Sequence, residues 1–508
     1  MKNANDKAAA SETRGSRAVW ISMLAAGCAA IALLRVFQSD PTAACILSIV
    51  WPFCILYAVY AAHTRAQKWI TAAAFTAVMV FRYLRVFYGE QDIRLMTDLA
   101  SVALAIVTAL MIFGIMRLSR AFLKKLPNFA GLLFLPSAFL CIMLIMENIH
   151  FSDSLLFGVG QFFNPVLRPL AGIIGYHGVT FILLLLINAI VFMLYGRSAR
   201  KCVSALIVCA VFIIAGAVYG AVRNKGKTEG VPVIRVALAT GTNTLDNYFE
   251  NDPVSPVKGN LESIERLASA SAANGADLLV FSEEAYGLWD TEHEQFKKAA
   301  GEISGKYRLP MLVGEEIAYS GDEEAGNRCF LTDGNVVAEY DKNTLVPFVE
   351  NEQIEFGYNG QPQNAKIEAN GREINTAFSI CYEYNYARYI MIITPDTELL
   401  LAPSWDWDTV ARAQTAEAGF RAVENGIPIV KSTMNGYMFA VDAFGNVLCE
   451  EKTGENEQEH LTFADVPLNA SPTVYSIIGE TLELLYPILL AAVIAVRIVK
   501  GRKKTAVG

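Results

Sequence analysis

The composition of this chain excludes an ordinary soluble protein. Of its 508 residues, 53% are hydrophobic and 18% are charged, a balance that requires a membrane-embedded part. Residues 228–472 carry 16 Lys/Arg against 40 Asp/Glu, whereas the rest of the chain carries 26 against 10. These numbers predict an acidic soluble domain inserted into a basic, apolar frame. Nucleic acid is excluded as a partner, because the domain lacks the clustered cations that bind phosphate backbones.

Eight apolar stretches predict membrane-spanning helices, seven before the domain and one after it. Each approaches the roughly 20 residues that are needed to cross a bilayer. They cover residues 18–36, 42–62, 69–88, 95–116, 129–146, 172–194, 203–222 and 481–499. The third stretch contains Arg82 and Arg85, whose charged ends would have to extend to an interface.

Lysine and arginine in alternate short loops predict the orientation. They cluster before the first stretch, in every second loop after it, and in the C-terminal tail. By the positive-inside rule these segments are cytoplasmic, which puts the domain outside. The predicted parts are a cytoplasmic tail at 1–17, a membrane domain with seven transmembrane helices at 18–227, an extracytoplasmic domain at 228–472, and a last transmembrane helix with a basic cytoplasmic tail at 473–508.

Within the domain, short β-rich runs alternate with helical patterns, which predicts an α/β fold. Strands are expected at 233–239, 278–281, 311–314, 374–380, 399–402, 427–432 and 437–441, with a hairpin around Asp333-Gly334. One helix has its apolar face on residues 261–271 and ends at Asn274-Gly275. A second covers 411–424 and ends at Asn425-Gly426.

Three reactive residues of different types follow predicted strand ends. Glu283 follows the strand at 278–281, Lys342 follows the hairpin, and Cys381 follows the strand at 374–380. Because α/β sheets place their chemistry at strand ends, we predict that these side chains form one site. Taken singly, each has a plainer explanation: a lone cysteine is usually buried and inert, and a lone glutamate or lysine is usually solvated.

A nucleophilic cysteine needs a base, because a thiol with a pKa of about 8.5 is mostly protonated at neutral pH. The two histidines of the domain, His293 and His460, lie in polar stretches of loop-like composition, so a Cys/His dyad is not predicted. A buried glutamate can act as the base, and a neighbouring lysine can stabilise both thiolate and oxyanion. Glu283 and Lys342 fit these two roles.

The cysteines of the domain show no C-x-x-C pair and no metal-ligand spacing. A disulfide framework and a metal site are therefore not expected. Pairing of Cys329 with Cys449 stays open.

Several segments together resemble the nitrilase superfamily. The run Leu279-Val280-Phe281-Ser282-Glu283 is similar to the family's base segment, with Ser in place of Pro. The string Leu-Val-Pro-Phe-x-Glu at 345–350 is the most specific match and belongs to the lysine segment, and Ile380-Cys381-Tyr382-Glu383 resembles the nucleophile segment. A further run at 421–426 also resembles the family. With its membrane frame, the chain looks like the apolipoprotein N-acyltransferase family, whose layout is many spans, a nitrilase domain and one last span.

The resemblance implies a polytopic α-helical membrane bundle of about eight spans plus an α/β nitrilase-type αββα sandwich. It implies an enzyme with a Glu283, Lys342 and Cys381 triad that moves an acyl chain from a phospholipid, through a thioacyl intermediate on the cysteine, to the α-amine of a lipoprotein's N-terminal diacylglyceryl-cysteine. The expected setting is the bacterial inner membrane, with phospholipid, lipoprotein and bilayer as partners and without a cofactor.

The same resemblance suggests supporting residues. Glu350 would orient the lysine, the backbone N–H of Tyr382 would help to stabilise the oxyanion, and Glu383 would support the pocket.

Two segments depart from the family pattern, which implies altered recognition of the acyl chain or the acceptor. Tyr248 and Phe249 follow Thr240-Gly241-Thr242 where the family has Gln-Gly-Asn and a Trp, and Ser404-Trp405-Asp406-Trp407-Asp408 replaces Thr-Asn-Asp-x-Trp-Phe. Tyr248, Phe249, Trp405 and Trp407 are candidates for an apolar substrate entrance or, equally, core aromatics. Two alternatives stay open: a membrane-tethered amidase that hydrolyses a small amide or nitrile, and a silent binding protein on the same fold.

Overall fold

Helices dominate the first part of the chain, and two β-sheets dominate the part from Val233 onward. The computed structural model describes residues 2–84, 86, 94–148, 158–196, 199–225, 230–242, 257–319, 325–347, 350, 364–393, 395–454 and 459–505. The helices in these ranges are α1 (Lys2–Val36), α2 (Pro41–Ala61), α3 (Arg65–Tyr83), α4 (Arg94–Lys125), α5 (Phe129–Leu132), α6 (Phe134–Asn148), α7 (Ala171–Gly196), α8 (Val203–Asn224), α9 (Val257–Ala273), α10 (His293–Tyr307), α11 (Ala387–Ile393), α12 (Ala411–Asn425), α13 (Val474–Glu483) and α14 (Leu485–Thr505).

Seven helical segments of the described residues are long and apolar enough to cross a membrane. Six precede the sheets, and the seventh, Thr481–Lys500, follows them. This arrangement confirms the predicted polytopic helical bundle, whose helices precede and follow the sheet domain along the chain.

The third predicted span is the exception. A helix does form there, because Thr64 and Gln67 make a reciprocal capping box at the start of α3. The helix ends at Tyr83 and carries Arg65, Lys68 and Arg82, so it is not among the seven apolar segments. The span predicted at 69–88 does not meet the length and composition of the other seven, so it stays a prediction; α3 packs against α1 and α4.

The domain contains two sheets. Their strands are β1 (Val233–Ala239), β2 (Leu278–Phe281), β3 (Tyr286–Trp289), β4 (Met311–Ala318), β5 (Ala325–Thr332), β6 (Val336–Asp341), β7 (Asn364–Ala369), β8 (Arg372–Phe378), β9 (Leu399–Trp405), β10 (Ile429–Met434), β11 (Tyr437–Val441), β12 (Val447–Lys452) and β13 (Leu461–Pro467). The first sheet has the order β13-β1-β2-β4-β5-β6, with β3 also paired to β4, and the second has the order β12-β11-β10-β9-β8-β7. In each sheet the central strands run parallel: β1, β2 and β4 in the first, and β8, β9 and β10 in the second.

The two sheets pack face to face, and helices cover their outer faces. Alternate residues of one strand point to opposite faces. Val236 of β1 therefore lies in the core between the sheets together with Leu401 of β9. Ala237 of the same strand packs on the other side with Ile264 of α9 and Phe296 of α10. This four-layer order confirms the predicted αββα sandwich.

The outer face of the second sheet is covered by helices and does not face solvent. Leu400 of β9 and Ile429 of β10 belong to one buried cluster with Phe420 of α12 and with residues of the membrane helices, such as Leu183 of α7. The outer helical layer of the sandwich is thus shared with the bundle. Helix α12 packs on α7, on the 3-10 turn Val159–Phe163 and on α13.

A buried ion pair on α12 strengthens this junction. The Arg421 guanidinium lies 3.0 Å from the Glu424 carboxylate, and the two side chains are 1% and 0% exposed. The other carboxylate oxygen of Glu424 accepts a hydrogen bond of 2.5 Å from the backbone N–H of Tyr176 in α7. Gly175, just before, has φ +72°, and a Cβ there would lie 2.3 Å from the Tyr475 ring, so this close approach of α7 and α13 requires glycine.

Several elements of the domain were not predicted. They are β3, β7, β12, β13 and α10, whose sequences are polar or short. His293, which was expected in a loop, is instead the first residue of α10, and its buried ring lies 3.1 Å from the Glu315 carboxylate. The expectation for its position was wrong, because α10 has few apolar side chains and its helical period is weak.

We expect Arg421→Met to lower the stability of the full chain by about 3–5 kcal/mol, because the substitution leaves the Glu424 carboxylate buried without its counter-charge. The measurement is the thermal unfolding midpoint in detergent. The matched control is Arg235→Met, which removes an exposed ion pair to Asp465 with 42% and 64% exposed side chains and should cost about 1 kcal/mol or less. Equal shifts for the two variants would contradict a special role of the buried pair.

Candidate active site

Three strand ends bring Glu283, Lys342 and Cys381 into one region. Glu283 follows β2 and Lys342 follows β6 in the first sheet, whereas Cys381 follows β8 in the second. Glu283 and Lys342 are in direct contact, and the backbone of Trp405, at the end of β9, bridges the glutamate to the cysteine. The region therefore lies between the two sheets, at the ends of β2 and β6 in the first sheet and of β8 and β9 in the second.

The Lys342 ammonium is shared by two carboxylates. Its Nζ lies 2.6 Å from Oε1 of Glu283 and 2.5 Å from Oε1 of Glu350, and the lysine and glutamate side chains are 1%, 2% and 13% exposed. Burial alone would lower the pKa of this ammonium, but the charges of Glu283 and Glu350 raise it well above its usual value. Lys342 is therefore a permanent cation in a site without bulk water.

The Glu283 carboxylate is held by donors on both oxygens. Oε1 accepts from the Lys342 ammonium and, at 2.7 Å, from the side-chain amide of Asn327. Oε2 accepts from the backbone N–H of Trp405 at 2.7 Å. Such a set fixes the orientation of the carboxylate, which a general base requires. Asn327 was not predicted, because the partner of a single polar residue in β5 cannot be inferred from its spacing.

Cys381 stands on a strained turn. Its φ of +46° is in the left-handed region, which costs energy for a residue other than glycine and is found mainly at functional sites. It begins the 3-10 turn Cys381–Asn385. Its Sγ donates a long hydrogen bond of 3.5 Å to the backbone carbonyl of Trp405. The thiol thus lies next to the residue whose N–H binds Glu283.

The Glu383 carboxylate holds this turn in place. It accepts hydrogen bonds from the backbone N–H of Ile380 at 2.6 Å, from the backbone N–H of Thr344 at 3.2 Å and from the Tyr340 hydroxyl at 2.8 Å. Burial raises the pKa of Glu383 to about 7, against these hydrogen bonds, which lower it. One carboxylate therefore ties the Cys381 turn to the segment that carries Lys342.

The electrostatic environment keeps the resting thiol protonated. Burial raises the pKa of Cys381 well above its usual value, the charge of Glu283 raises it further, and the charge of Lys342 opposes them. A buried thiol of this kind cannot ionise by releasing its proton to water at neutral pH. It requires an adjacent acceptor, and Glu283 is the carboxylate whose charge acts most strongly on it.

A second buried ion pair supports the same region and was not predicted. The Lys431 ammonium of β10 binds the Asp406 carboxylate, and both side chains are fully buried. Asp406 also accepts from the Ser404 hydroxyl at 3.3 Å, and Ser404 lies 3.1 Å from the Tyr384 hydroxyl. The segment that departs from the family pattern is therefore bonded to the Cys381 turn.

The remaining predicted residues have mixed placements. Tyr382 and Trp407 are partly buried against the cluster that includes the membrane helices. Trp405 acts in the site through its backbone groups. Tyr248 and Phe249 lie outside the described residues.

Lysine ammonium groups fill the two acidic clusters in the described residues that have metal-ligand spacing. In the set Glu283, Glu284 and Glu350, the Lys342 ammonium binds two of the three carboxylates. In the set His293, Glu294 and Glu339, Lys297 does the same. Among the described residues, Cys329 and Cys449 are both free thiols.

The sandwich coincides with a match to a known family model. Residues 235–471 match the model described as carbon-nitrogen hydrolase.

Parts of the chain are similar to curated proteins named apolipoprotein N-acyltransferase. One from Geobacter metallireducens is 26% identical over 326 residues, which cover 57% of this chain and 60% of that protein. One from Rhodopseudomonas palustris is 23% identical over 349 residues, 62% and 64% of the two chains. One from Haemophilus influenzae is 28% identical over 176 residues, 31% and 33% of the two. The chain thus spans between one third and two thirds of these relatives.

Solved structures of an amidase from Nesterenkonia sp. also match the domain. One, a mutant of the amidase described as belonging to the nitrilase superfamily, is 21% identical, covers 47% of this chain and 93% of its own, and superimposes with a TM-score of 0.37.

We expect Glu283→Gln to lower the pKa of the Cys381 thiol, because the charge of Glu283 is one of the causes that raise it. Alkylation of Cys381 by iodoacetamide should therefore begin at lower pH than in the parent protein. Peptide-resolved mass spectrometry of the full chain, alkylated across a pH series, measures this shift.

The matched control is Glu284→Gln. Glu284 neighbours the site and shares the Asn327 amide, but burial raises its pKa well above its usual value, so glutamine mimics its neutral form. Its alkylation profile should follow that of the parent. A profile that stays unchanged in Glu283→Gln would show that this carboxylate does not act on the thiol.

Proposed function

We propose that this protein is an N-acyltransferase that moves an acyl chain from a phospholipid to the α-amine of a lipoprotein's N-terminal diacylglyceryl-cysteine. One observation carries the proposal: a buried thiol, a positioned carboxylate and a permanently charged lysine meet between the two sheets, next to Tyr382 and Trp407, which pack against the core that the sandwich shares with the membrane bundle. The curated relatives named apolipoprotein N-acyltransferase support the same activity.

In the first half-reaction, Glu283 accepts the proton of the Cys381 thiol as the sulfur attacks the ester carbonyl carbon of the phospholipid. The carbonyl oxygen becomes an oxyanion, which the Lys342 ammonium and the backbone N–H of Tyr382 stabilise. The carbon–oxygen ester bond then breaks, the protonated Glu283 gives its proton to the leaving alkoxide, and lysophospholipid departs. The acyl chain remains on Cys381 as a thioester.

In the second half-reaction, the free amine of the acceptor attacks the thioester carbon. Glu283 takes a proton from the attacking nitrogen, the carbon–sulfur bond breaks, and the thiol is restored with that proton. The product carries a new amide bond. Glu350 holds the lysine in place throughout, since its second oxygen is fixed by the backbone N–H of Val346 at 2.6 Å.

The shared core supports lipid-anchored substrates over water-soluble ones. Tyr382, next to the nucleophile, and Trp407 both pack against the cluster that contains the membrane helices. A carbonyl near a lipid headgroup can reach such a position without the acyl chain leaving the apolar phase. A small soluble amide would gain nothing from this placement.

We expect the full chain to acquire the label of a phospholipid with a radioactive acyl chain, and Cys381→Ser to acquire none through a thioester. The thioester is recognised by its release with neutral hydroxylamine. Loss of the base in Glu283→Gln should slow acylation by about 10²- to 10⁴-fold, whereas Glu284→Gln should remain near the parent rate. Turnover of a small amide with no phospholipid-derived label would refute acyl transfer from lipid.

We also propose that the domain lies outside the cytoplasm and that α3 spans the bilayer despite its arginine. Only then do the basic segments before α3 and after α4 share one side. Single cysteines at two exposed sites, Glu368→Cys in the domain and Lys124→Cys at the end of α4, test this in intact cells. A membrane-impermeant maleimide should label the first and spare the second. The reverse pattern would invert the topology.

A further inference from the structure

A pocket of about 60 Å³ lies where the membrane helices meet the domain. The last turns of α1 and α3, the first turns of α2 and α12, and the 3-10 turn Val159–Phe163 enclose it. Its lining residues are Leu34, Arg35, Gln38, Ala44, Ser48, Arg82, Val159, Gly160, Phe163, Thr409, Arg412, Ala413 and Ala416.

The charged residues that line this pocket are all positive. Three lining residues are arginines, namely Arg35, Arg82 and Arg412, and no residue of the described lining carries a carboxylate. Arg35 and Arg82 lie close enough for their positive charges to act on each other. Such a concentration is unexpected beside a domain in which acids outnumber bases by 40 to 16. Guanidinium groups that converge on one space form a recognition site for a phosphate or carboxylate.

The Arg412 side chain is held in place at one side of the pocket. Its side chain is 8% exposed, with one terminal nitrogen 2.8 Å from the Glu450 carboxylate. The guanidinium lies 3.9 Å from the ring centre of Tyr437 and 5.4 Å from that of Phe163. Its buried Nε has no hydrogen-bond partner among the described residues. The site thus contains a pre-positioned cation with an unused donor.

The position of the pocket relative to the membrane indicates which anion could reach it. Arg35 is in the last turn of α1, whose apolar span is Ser16–Val36, and Arg82 is in the last turn of α3. Both helix ends face the domain, since Gln38, two residues beyond α1, donates a hydrogen bond of 3.0 Å to the backbone carbonyl of Asp408. The ends of membrane spans lie at the level of lipid headgroups.

The rest of the lining suits a lipid rather than a free ion. Leu34, Val159 and Phe163 supply apolar surface next to the arginines. The turn that forms one side of the pocket packs closely on α2, since a Cβ at Gly160 would lie 2.6 Å from the carbonyl oxygen of Ala44. A charged end and an apolar side fit a phosphodiester that is attached to a glycerol backbone.

We propose that this pocket binds the phosphate of a membrane phospholipid headgroup, with Arg35, Arg82 and Arg412 as its cationic ligands. The binding goes beyond the acyl-transfer proposal, because it requires no chemistry at Cys381. It can therefore be measured on Cys381→Ser protein, in which transfer is abolished.

The test titrates the full-length Cys381→Ser protein in detergent with dioleoylphosphatidylglycerol and, separately, with dioleoylglycerol, which lacks the phosphate. Native mass spectrometry reports the bound lipid. We expect the phospholipid to bind more tightly than dioleoylglycerol, and the additional changes Arg35→Gln and Arg82→Gln together to weaken its binding by about 10-fold or more, as expected for lost charge-assisted hydrogen bonds. Dioleoylglycerol binding should not change.

Two further variants keep the test decisive. Arg65→Gln removes an exposed arginine at the opposite end of α3 and should leave phospholipid binding at the parent level. Arg82→Lys keeps the charge and should retain most of the affinity, which covers the case in which the glutamine variants fail to fold.

Three results would overturn the proposal. The first is equal phospholipid binding with and without Arg35 and Arg82, and the second is an equal loss in Arg65→Gln. The third is displacement of the phospholipid by inorganic phosphate at the same concentration as the lipid, which would indicate a free-anion site.

Discussion

The structure of the site depends on the Lys342 ammonium, which two buried carboxylates share. Without it, Glu283 and Glu350 would be two like charges in a space with little water, and at least one would have to be neutral. With it, the two carboxylates share one counter-charge beside a thiol that is itself protonated. The lysine thus compensates negative charge in the buried space that the proposed acyl transfer uses.

The two sheets and the membrane bundle together form that buried space. The first sheet supplies Glu283 and Lys342, the second supplies Cys381, and the outer layer of the second sheet merges with the bundle. The site is therefore enclosed by elements far apart in the chain. The same merging produces the junction in which Arg421 is buried and the pocket that Arg35 and Arg412 line.

Much of this could be predicted from the sequence. The strands β1, β2 and β11 were predicted with their observed ends, since each is an apolar run bounded by polar or turn residues, and the three reactive residues were identified because they follow strand ends. The elements β3, α10 and β13 were missed, since their polar or short sequences have no clear period. The partners Asn327 and Lys431 were also missed, because a buried polar contact between distant strands leaves no mark in local spacing.

The last helix of the bundle has a consequence for how the protein is made. Helix α14 packs against α6, yet the whole domain lies between them in the chain. A ribosome therefore makes more than nine-tenths of the protein before the membrane bundle can be completed. The sandwich begins to fold while the bundle still lacks one helix. Such long-range closure is slow, so the face of α6 that α14 covers stays open longest during synthesis, and that face is where a newly made chain is most open to wrong contacts or to a chaperone.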